Sequence, residues 1–198
     1  MGAGWFSVEV AGWARESGWR VGGLVELMDP DRAGGDQEGY PIVDAATLPM
    51  GTLAIAAGGR SVDRRHAWAV AEEHGFAPAT VVHPTAHISG SATIAPGAIV
   101  APLAVVSAGT AVGVHCLLSR GTLVGHHTTL DRFVRLLPGA NVAGHVRLGE
   151  GVTVGMSAAI VDDVEIGAGA VIAAGAVVLR DVAADTRVQG VPARVFQT

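Results

Sequence analysis

From Ile88 to Val178 every sixth residue is Ile, Leu or Val, and the series runs unbroken through Val100, Val112, Val124, Leu136, Leu148, Ile160 and Ile172. The fourth residue after each is also restricted: Ala98, Thr110, Cys116, Thr128, Val134, Ala158 and Ala176 belong to a column that is small or β-branched throughout. A period of six fits neither the 3.6-residue helix nor the alternation of a lone strand. It predicts a solenoid of triangular coils, each made of three short parallel strands that bring one aliphatic residue inward. Eighteen residues then complete a coil, and the array from residue 88 makes a little over five. Gly97, Gly109, Gly121, Gly139, Gly151, Gly169 and Gly175 recur where such corners need a permissive backbone.

The same arithmetic places the outward groups. Residues two and three after each aliphatic position lie at a corner, and residues eighteen apart stack in neighbouring coils. The stretch TLVGHHTTLDRF, 122–133, therefore sets His126 over Gly144 and His127 over His145. Cys116 falls in the small interior column, which predicts packing rather than reactivity.

Before residue 80 the hexads are absent. SVEVAGWARESGW has helical spacing, VGGLVEL reads as a buried strand, MDPDRAGGDQEGYP as a loop and TLAIAAG as a second buried strand. SVDRRHAWAVAEEHG then reads as a helix, with Ser61 or Asp63 near its N-cap and Gly75 at its stop. Alternating strand and helix predicts a small parallel α/β sheet.

Composition narrows the function classes. The 198 residues carry 16% charged and 49% hydrophobic side chains, yet the run IGAGAVIAAGAVVL is too short and glycine-rich to span a bilayer. A net charge of -5 argues against a nucleic-acid partner. A single cysteine builds no disulfide framework, and no basic segment followed by an apolar one opens the chain, so a soluble, cytoplasmic protein is expected, with no membrane partner.

The hexads together with the tail VVLRDVAADTRVQGVPARV resemble the hexapeptide-repeat acyltransferases, whose fold is a left-handed parallel β-helix; the handedness is implied by the resemblance. GAGWFSVEV resembles the glycine turn that opens the nucleotide-sugar acetyltransferases of the sialic acid O-acetyltransferase and bacillosamine N-acetyltransferase type, and VVHPTAHISGSATI resembles their inter-domain junction. The resemblance implies a small α/β, Rossmann-like, nucleotide-sugar-binding domain over 1–80, the β-helix over 81–183 and a closing segment over 184–198. Gly2 and Gly4 would let the backbone approach the nucleotide-linked sugar, and Asp29 or Asp31 would touch the nucleoside. Trp5 stands where the family has a glycine, and Met1 directly precedes the turn, so the family's first strand has nowhere to come from unless the true start lies upstream. A homotrimer is implied, with ligand clefts between subunits.

The resemblance also implies chemistry. In the family a catalytic histidine follows an asparagine and a glutamate and precedes an acid. SRGTLVGHH aligns with that pattern, with Ser119 for the asparagine, Gly125 for the glutamate, His126 for the histidine and His127 for the acid. An acceptor amine or hydroxyl must lose a proton before it attacks a thioester, and an imidazole is the usual base. The Gly144 N–H would hold the oxyanion and face acetyl-CoA, and Gly190, Pro192 and Arg194 would bind the adenine end of the coenzyme. His127 is expected to face substrate, as is Arg135, which replaces a second family histidine. Without the acid, His126 needs another orienting group: a backbone carbonyl, Asp131 or Asp162. Arg120, Arg132 and Arg135 have phosphate binding and plain solvation as equal readings, and His83, His87 and His115 are expected to be structural or solvated.

The expected activity is acetyl transfer from acetyl-CoA to the amine of a nucleotide-linked amino sugar, with no metal. Alternatives are a sugar or sialic acid O-acetyltransferase, a non-catalytic trimeric β-helix scaffold, and a metal enzyme like the γ-class carbonic anhydrases, suggested by the clustering of His126, His127 and His145.

Overall fold

The computed structural model describes residues 4–27 and 30–196. From Val81 onward the chain winds through two-residue strands that stack in parallel on the same residues one coil away. Leu117–Leu118, for example, lies between Ile99–Val100 and Arg135–Leu136, an offset of eighteen residues on each side. Three faces result. The first carries His87–Ile88, Leu123–Val124 and Asn141–Val142, the second Ala111–Val112 and Thr129–Leu130, and the third Val81–Val82, Ile99–Val100, Leu117–Leu118 and Arg135–Leu136. A two-residue strand has no stability of its own. Each exists because its neighbours above and below satisfy its amides while its second residue enters the core.

Both repeat columns predicted from the hexads face inward. Val100, Leu118, Leu136, Leu148, Ile166 and Ile172 are fully buried, and so are Ala98, Ala104, Cys116, Val134 and Ala158. Each aliphatic side chain removed from water contributes roughly 1.5–3 kcal/mol, and the small column leaves the space they fill. Two polar members of that column are tied to carbonyls, Thr110 Oγ1 donating to Gly125 O at 2.7 Å and Thr128 Oγ1 to Ala143 O at 2.9 Å, whereas the buried Thr122 hydroxyl has no hydrogen-bond partner. Burial pushes the Cys116 thiol up to about 12, which leaves it a packing group that donates to Asp131 O.

The corners explain the glycines. From Ile94 to Ile172 the third residue after each aliphatic position adopts a left-handed backbone, with φ of +78° at Gly97, +70° at Gly109 and +63° at Gly121. Where a side chain occupies this position it is forced into the same region, as at His115 (+55°), His127 (+56°), Phe133 (+60°) and His145 (+55°). The period holds until Val178. Val182 then bridges Ile166 and Arg187 pairs with Val171, offsets of sixteen, so the last coil is two residues short. Arg187–Gln189 extends the third face, and Arg194–Val195 turns back antiparallel to it.

The front of the chain is built from α1 (Trp5–Glu16), β1 (Leu24–Val25), β2 (Asp36–Gln37), β3 (Tyr40–Val43), β4 (Leu53–Ala54), α2 (Ser61–Glu73) and β5 (Ala77–Pro78). β1 pairs in parallel with β3, and β4 with β5, as two separate ladders rather than one continuous sheet. The segment expected to be loop contains β2 and the first half of β3, an antiparallel hairpin closed by Glu38 (φ +50°) and Gly39 (φ +80°). Two positive φ values at the centre of a two-residue loop match the right-handed strand twist, and Asp36 Oδ1 accepts from the Gly39 N–H. The N-cap of α2 is Arg60, whose N–H donates to Asp63, and Gly75 at φ +68° ends the helix as expected. No helix among the described residues is long and apolar enough to cross a membrane.

α1 packs on the third face. Val10, Trp13 and Ala14 cover Val81, Ile99 and Leu117, the outward residues of its first three coils. α2 is pinned to an edge of the same face by Arg64, which is 1% exposed. Its guanidinium donates to the carbonyls of Gly58, His115, Phe133 and Val134. Burial lowers its pKa to about 10, so it remains a cation, held by carbonyl dipoles.

Candidate active site

The corner between the first and second faces collects the groups singled out in TLVGHHTTLDRF. Val124 points inward, the Gly125 N–H bonds to Val142 O, and the turn throws His126 and His127 outward. Gly125 has to lack a side chain, because a Cβ there would lie 2.4 Å from the Ala143 carbonyl carbon. One coil above, the His126 ring lies over Gly144, where a Cβ would come within 2.8 Å of the imidazole. His127 stacks face to face on His145 at 5.2 Å between centroids and 10° between planes. Both vertical pairs follow the eighteen-residue arithmetic, and all three histidines are exposed.

What orients His126 differs from each expected group. The nitrogen beside its Nδ1 is Nδ1 of His127, at 3.2 Å. Two imidazole nitrogens at that distance share one proton: when His126 donates from Nδ1, His127 accepts as its Nε2–H tautomer, and the His126 Nε2 lone pair is left facing outward. The neighbouring ring thus does part of the work of a carboxylate, as a weaker acceptor. Asp162, one coil above Gly144, bonds elsewhere: its Oδ1 accepts the Gly144 N–H at 2.8 Å. The donor expected to face an oxyanion is therefore already engaged in this conformation.

Other expected site residues are distributed around the molecule. Gly2 and Asp29 lie outside the described residues. Gly4 is the N-cap of α1, with its carbonyl accepting from Ser7, and Asp31 sits in a short 3-10 helix, Pro30–Arg32. The structure does not bring Arg135 to His126. Arg135 projects from the third face, across the coil from the histidine corner, beside the N-terminus of α2, where burial lowers its pKa and Asp63 opposes that shift. Arg120 pairs with Glu9 of α1, and Arg132 pairs with Glu150 at 2.7 Å, an acid shared with Arg65. His115 is buried between Trp68 and Phe133, and His83 bridges Glu16 and Thr85.

At the C-terminal end a cleft of about 360 Å³ is lined by Leu179, Arg180, Asp181, Pro192 and Arg194 among others. Pro192 and Arg194 were expected to meet coenzyme here; the Gly190 carbonyl accepts from the Val177 N–H. Arg180 was missed by sequence reasoning, although its position signals it: the series 126, 144, 162, 180 runs up one corner, His126, Gly144, Asp162, Arg180. At one inter-strand spacing per coil, Arg180 stands roughly 14 Å from His126. Val161 and Leu179, both exposed, flank the same path.

Comparison with known proteins gives the corner its context. Residues 145–180 match the family described as bacterial transferase hexapeptide (six repeats). No curated protein matches the chain. The acetyltransferase domain of PglB from Neisseria gonorrhoeae, solved with acetyl coenzyme A, is 31% identical, covering 98% of this chain and 96% of that one with a TM-score of 0.88. Perosamine N-acetyltransferase from Caulobacter crescentus, solved as a histidine-to-asparagine mutant with CoA and GDP-perosamine, is 28% identical over 100% of this chain and 95% of that one, TM-score 0.92. WeeI from Acinetobacter baumannii, at 24% identity and TM-score 0.90 over 98% of this chain and 97% of that one, shares the fold. The parallel coils, the hexapeptide match and likeness over the full length agree: the chain belongs to the hexapeptide-repeat acyltransferases, in the nucleotide-sugar acetyltransferase family.

Proposed function

We propose that the protein transfers an acetyl group from acetyl-CoA to the amine of a nucleotide-linked amino sugar, with His126 as general base. The observation that carries this reading is the His126 ring poised over Gly144 at a β-helix corner, in a chain that aligns end to end with a perosamine N-acetyltransferase solved with CoA and GDP-perosamine. His126 Nε2 removes the proton from the amine as its nitrogen attacks the thioester carbonyl. The same imidazolium returns a proton to the departing CoA thiolate, so His126 ends the turnover neutral. His127 holds the tautomer through Nδ1. The Gly144 N–H meets the developing oxyanion once the Asp162 carboxylate turns aside.

The coenzyme's binding path follows from charge and shape. Arg180 and Arg194 at the C-terminal cleft supply cations for its phosphates, and Val161 and Leu179 offer apolar contact to the arm that reaches down the corner to Gly144. In the remainder of the reading the β-helix is left-handed and occupies residues 81–183, closed by 184–198, and residues 1–80 form a Rossmann-like unit that holds the nucleotide sugar through Gly2, Gly4 and Asp29 or Asp31. A homotrimer in the cytoplasm completes it. Its subunit clefts give the exposed His127 a substrate to face. An amine acceptor is preferred to a hydroxyl because the relative that matches end to end and whose acceptor chemistry is stated is a perosamine N-acetyltransferase.

The test is release of free CoA from acetyl-CoA in the presence of GDP-, UDP- and dTDP-linked amino sugars, with sialic acid as a hydroxyl acceptor. One amino sugar is expected to support turnover, and His126→Ala to lower kcat by about 10²–10⁴-fold, the usual share of a general base. Turnover unaffected by that substitution would remove His126 as the base, and release with sialic acid alone would replace the amine by a hydroxyl.

A further inference from the structure

The histidine corner holds one imidazole more than acetyl transfer uses. A base needs one ring and its orienting partner a second, yet His145 is packed against both, with centroids 5.0 Å from His126 and 5.2 Å from His127. One nitrogen from each of the three lies within 4.8 Å of the others, and His126 Nδ1 and His127 Nδ1 are 3.2 Å apart. A tetrahedral zinc ion with Zn–N bonds of about 2.0–2.1 Å sets its ligand nitrogens about 3.3 Å apart. The Nδ1 atoms of His126 and His127 therefore already have the spacing of two ligands of one ion. No nitrogen of the three-histidine set has to close by more than roughly 1.5 Å on another, which exposed imidazoles achieve by rotation about χ1 and χ2.

The frame beneath the rings is rigid and the local field suits a cation. The His145 N–H donates to His126 O at 2.9 Å, and the His127 N–H to Ala108 O at 2.9 Å, so the three backbones cannot drift apart. One coil above, Asp162 and Asp163 stand over Gly144 and His145 and add negative charge beside the rings. Three neutral imidazoles with an open fourth position favour late first-row dications such as zinc, cobalt and nickel over magnesium or calcium, which prefer oxygen.

We propose that His126, His127 and His145 form an exchangeable site for a divalent transition metal ion that takes the base out of action. A nitrogen lone pair given to the metal is unavailable to a substrate proton, and the bound ion covers the position over Gly144. The inhibitory half of this inference rests on His126 being the base; the binding half does not.

Binding is read with Co2+ on the full-length protein, by equilibrium dialysis and by the strong visible absorption of four-coordinate cobalt. About one Co2+ per chain is expected. His145→Gly and His145→Asn both suit the left-handed backbone at that position, so folding is preserved. The glycine variant is expected to weaken cobalt binding by at least about 100-fold, the upper end of what losing even an outer-sphere partner costs. Zn2+ is then added to the CoA-release assay. Wild type is expected to be inhibited and restored by a chelator, while His145→Gly keeps its turnover in the same zinc. Sub-stoichiometric cobalt binding, or binding unchanged in His145→Gly, overturns the site. Stoichiometric binding without inhibition overturns the switch. Cobalt binding by a protein that acetylates nothing would uphold the site and sink the acetyltransferase reading instead.

Discussion

His127 and His115 occupy equivalent corner positions, share a left-handed backbone and each overlie a corner glycine, yet the protein uses them in opposite ways. The ring of His127 covers Gly109, stays exposed and hands its Nδ1 to His126. The ring of His115 covers Gly97 and is then closed over by α2, between Trp68 at 4.3 Å and Phe133 at 5.2 Å, and is 5% exposed. Its Nδ1 has no hydrogen-bond partner, and burial lowers its pKa to about 4. The coil geometry thus decides where a corner side chain stands, and the element packed against the corner decides whether it does chemistry or fills space. A corner left free by the front unit became the candidate active site, and a corner under α2 became a joint.

The largest effect expected on the buried corner comes from Arg64, which joins α2 to it. Truncation in Arg64→Ala strands the carbonyls of Gly58, His115 and Phe133, while Val134 O keeps the Leu117 N–H, and opens a cavity, a loss of roughly 3–5 kcal/mol by the usual cost of breaking a buried charged group's contacts. Arg64→Lys should recover little, because one ammonium cannot span carbonyls of Gly58, His115 and Phe133 together. Thermal denaturation of both variants measures this. A melting temperature within a degree of wild type for Arg64→Ala would show that the joint does not depend on the cation.

A smaller effect separates the two histidines by pH. The folded pKa of His115 is depressed below its unfolded value, so the unfolded chain binds the proton more readily in the interval between them. Its contribution to stability is present above about pH 6.5, the ordinary histidine value, and is lost as pH falls towards 4. The lost stability is at most roughly 3 kcal/mol, since each pKa unit corresponds to about 1.4 kcal/mol. His115→Phe keeps a ring in the sandwich and removes the titration, so its stability curve should be flatter over that interval. Equal slopes for wild type and variant would remove burial of His115 as the cause.

These contrasts also mark what the sequence could reveal. Both interior columns, the stacking of His127 on His145 and the setting of His126 over Gly144 follow from one period, because parallel coils repeat every residue's environment eighteen positions on. Arg180 was legible on the same rule and was missed. The burial of His115 and Arg64 was not legible, since it depends on which face α2 docks against, and no local pattern encodes that. β3 was hidden because Tyr40–Val43 is short, contains Pro41 and follows a glycine-rich stretch. The two-residue shortening of the last coil leaves the aliphatic positions up to Val178 intact, so the period gives no sign of it.

The smallest effect expected, and the one that probes the open corner most closely, belongs to Asp162. Its carboxylate accepts the Gly144 N–H at 2.8 Å, and an ionised oxygen is a far better acceptor than a neutral thioester carbonyl. While that bond is made, the acyl oxygen has no claim on the donor. Asp162→Ala frees it, and kcat/KM for acetyl-CoA should rise by a few-fold, while stability changes by less than about 1.5 kcal/mol, the net worth of one hydrogen bond. Asp162→Asn still offers a neutral oxygen, so it should fall between wild type and alanine. The order of the three values carries the argument more than their size. A fall in kcat/KM in both variants would mean that the carboxylate serves the reaction by fixing the Gly144 turn, and the contrast between the corners would then lie in how firmly each is held rather than in which is free to react.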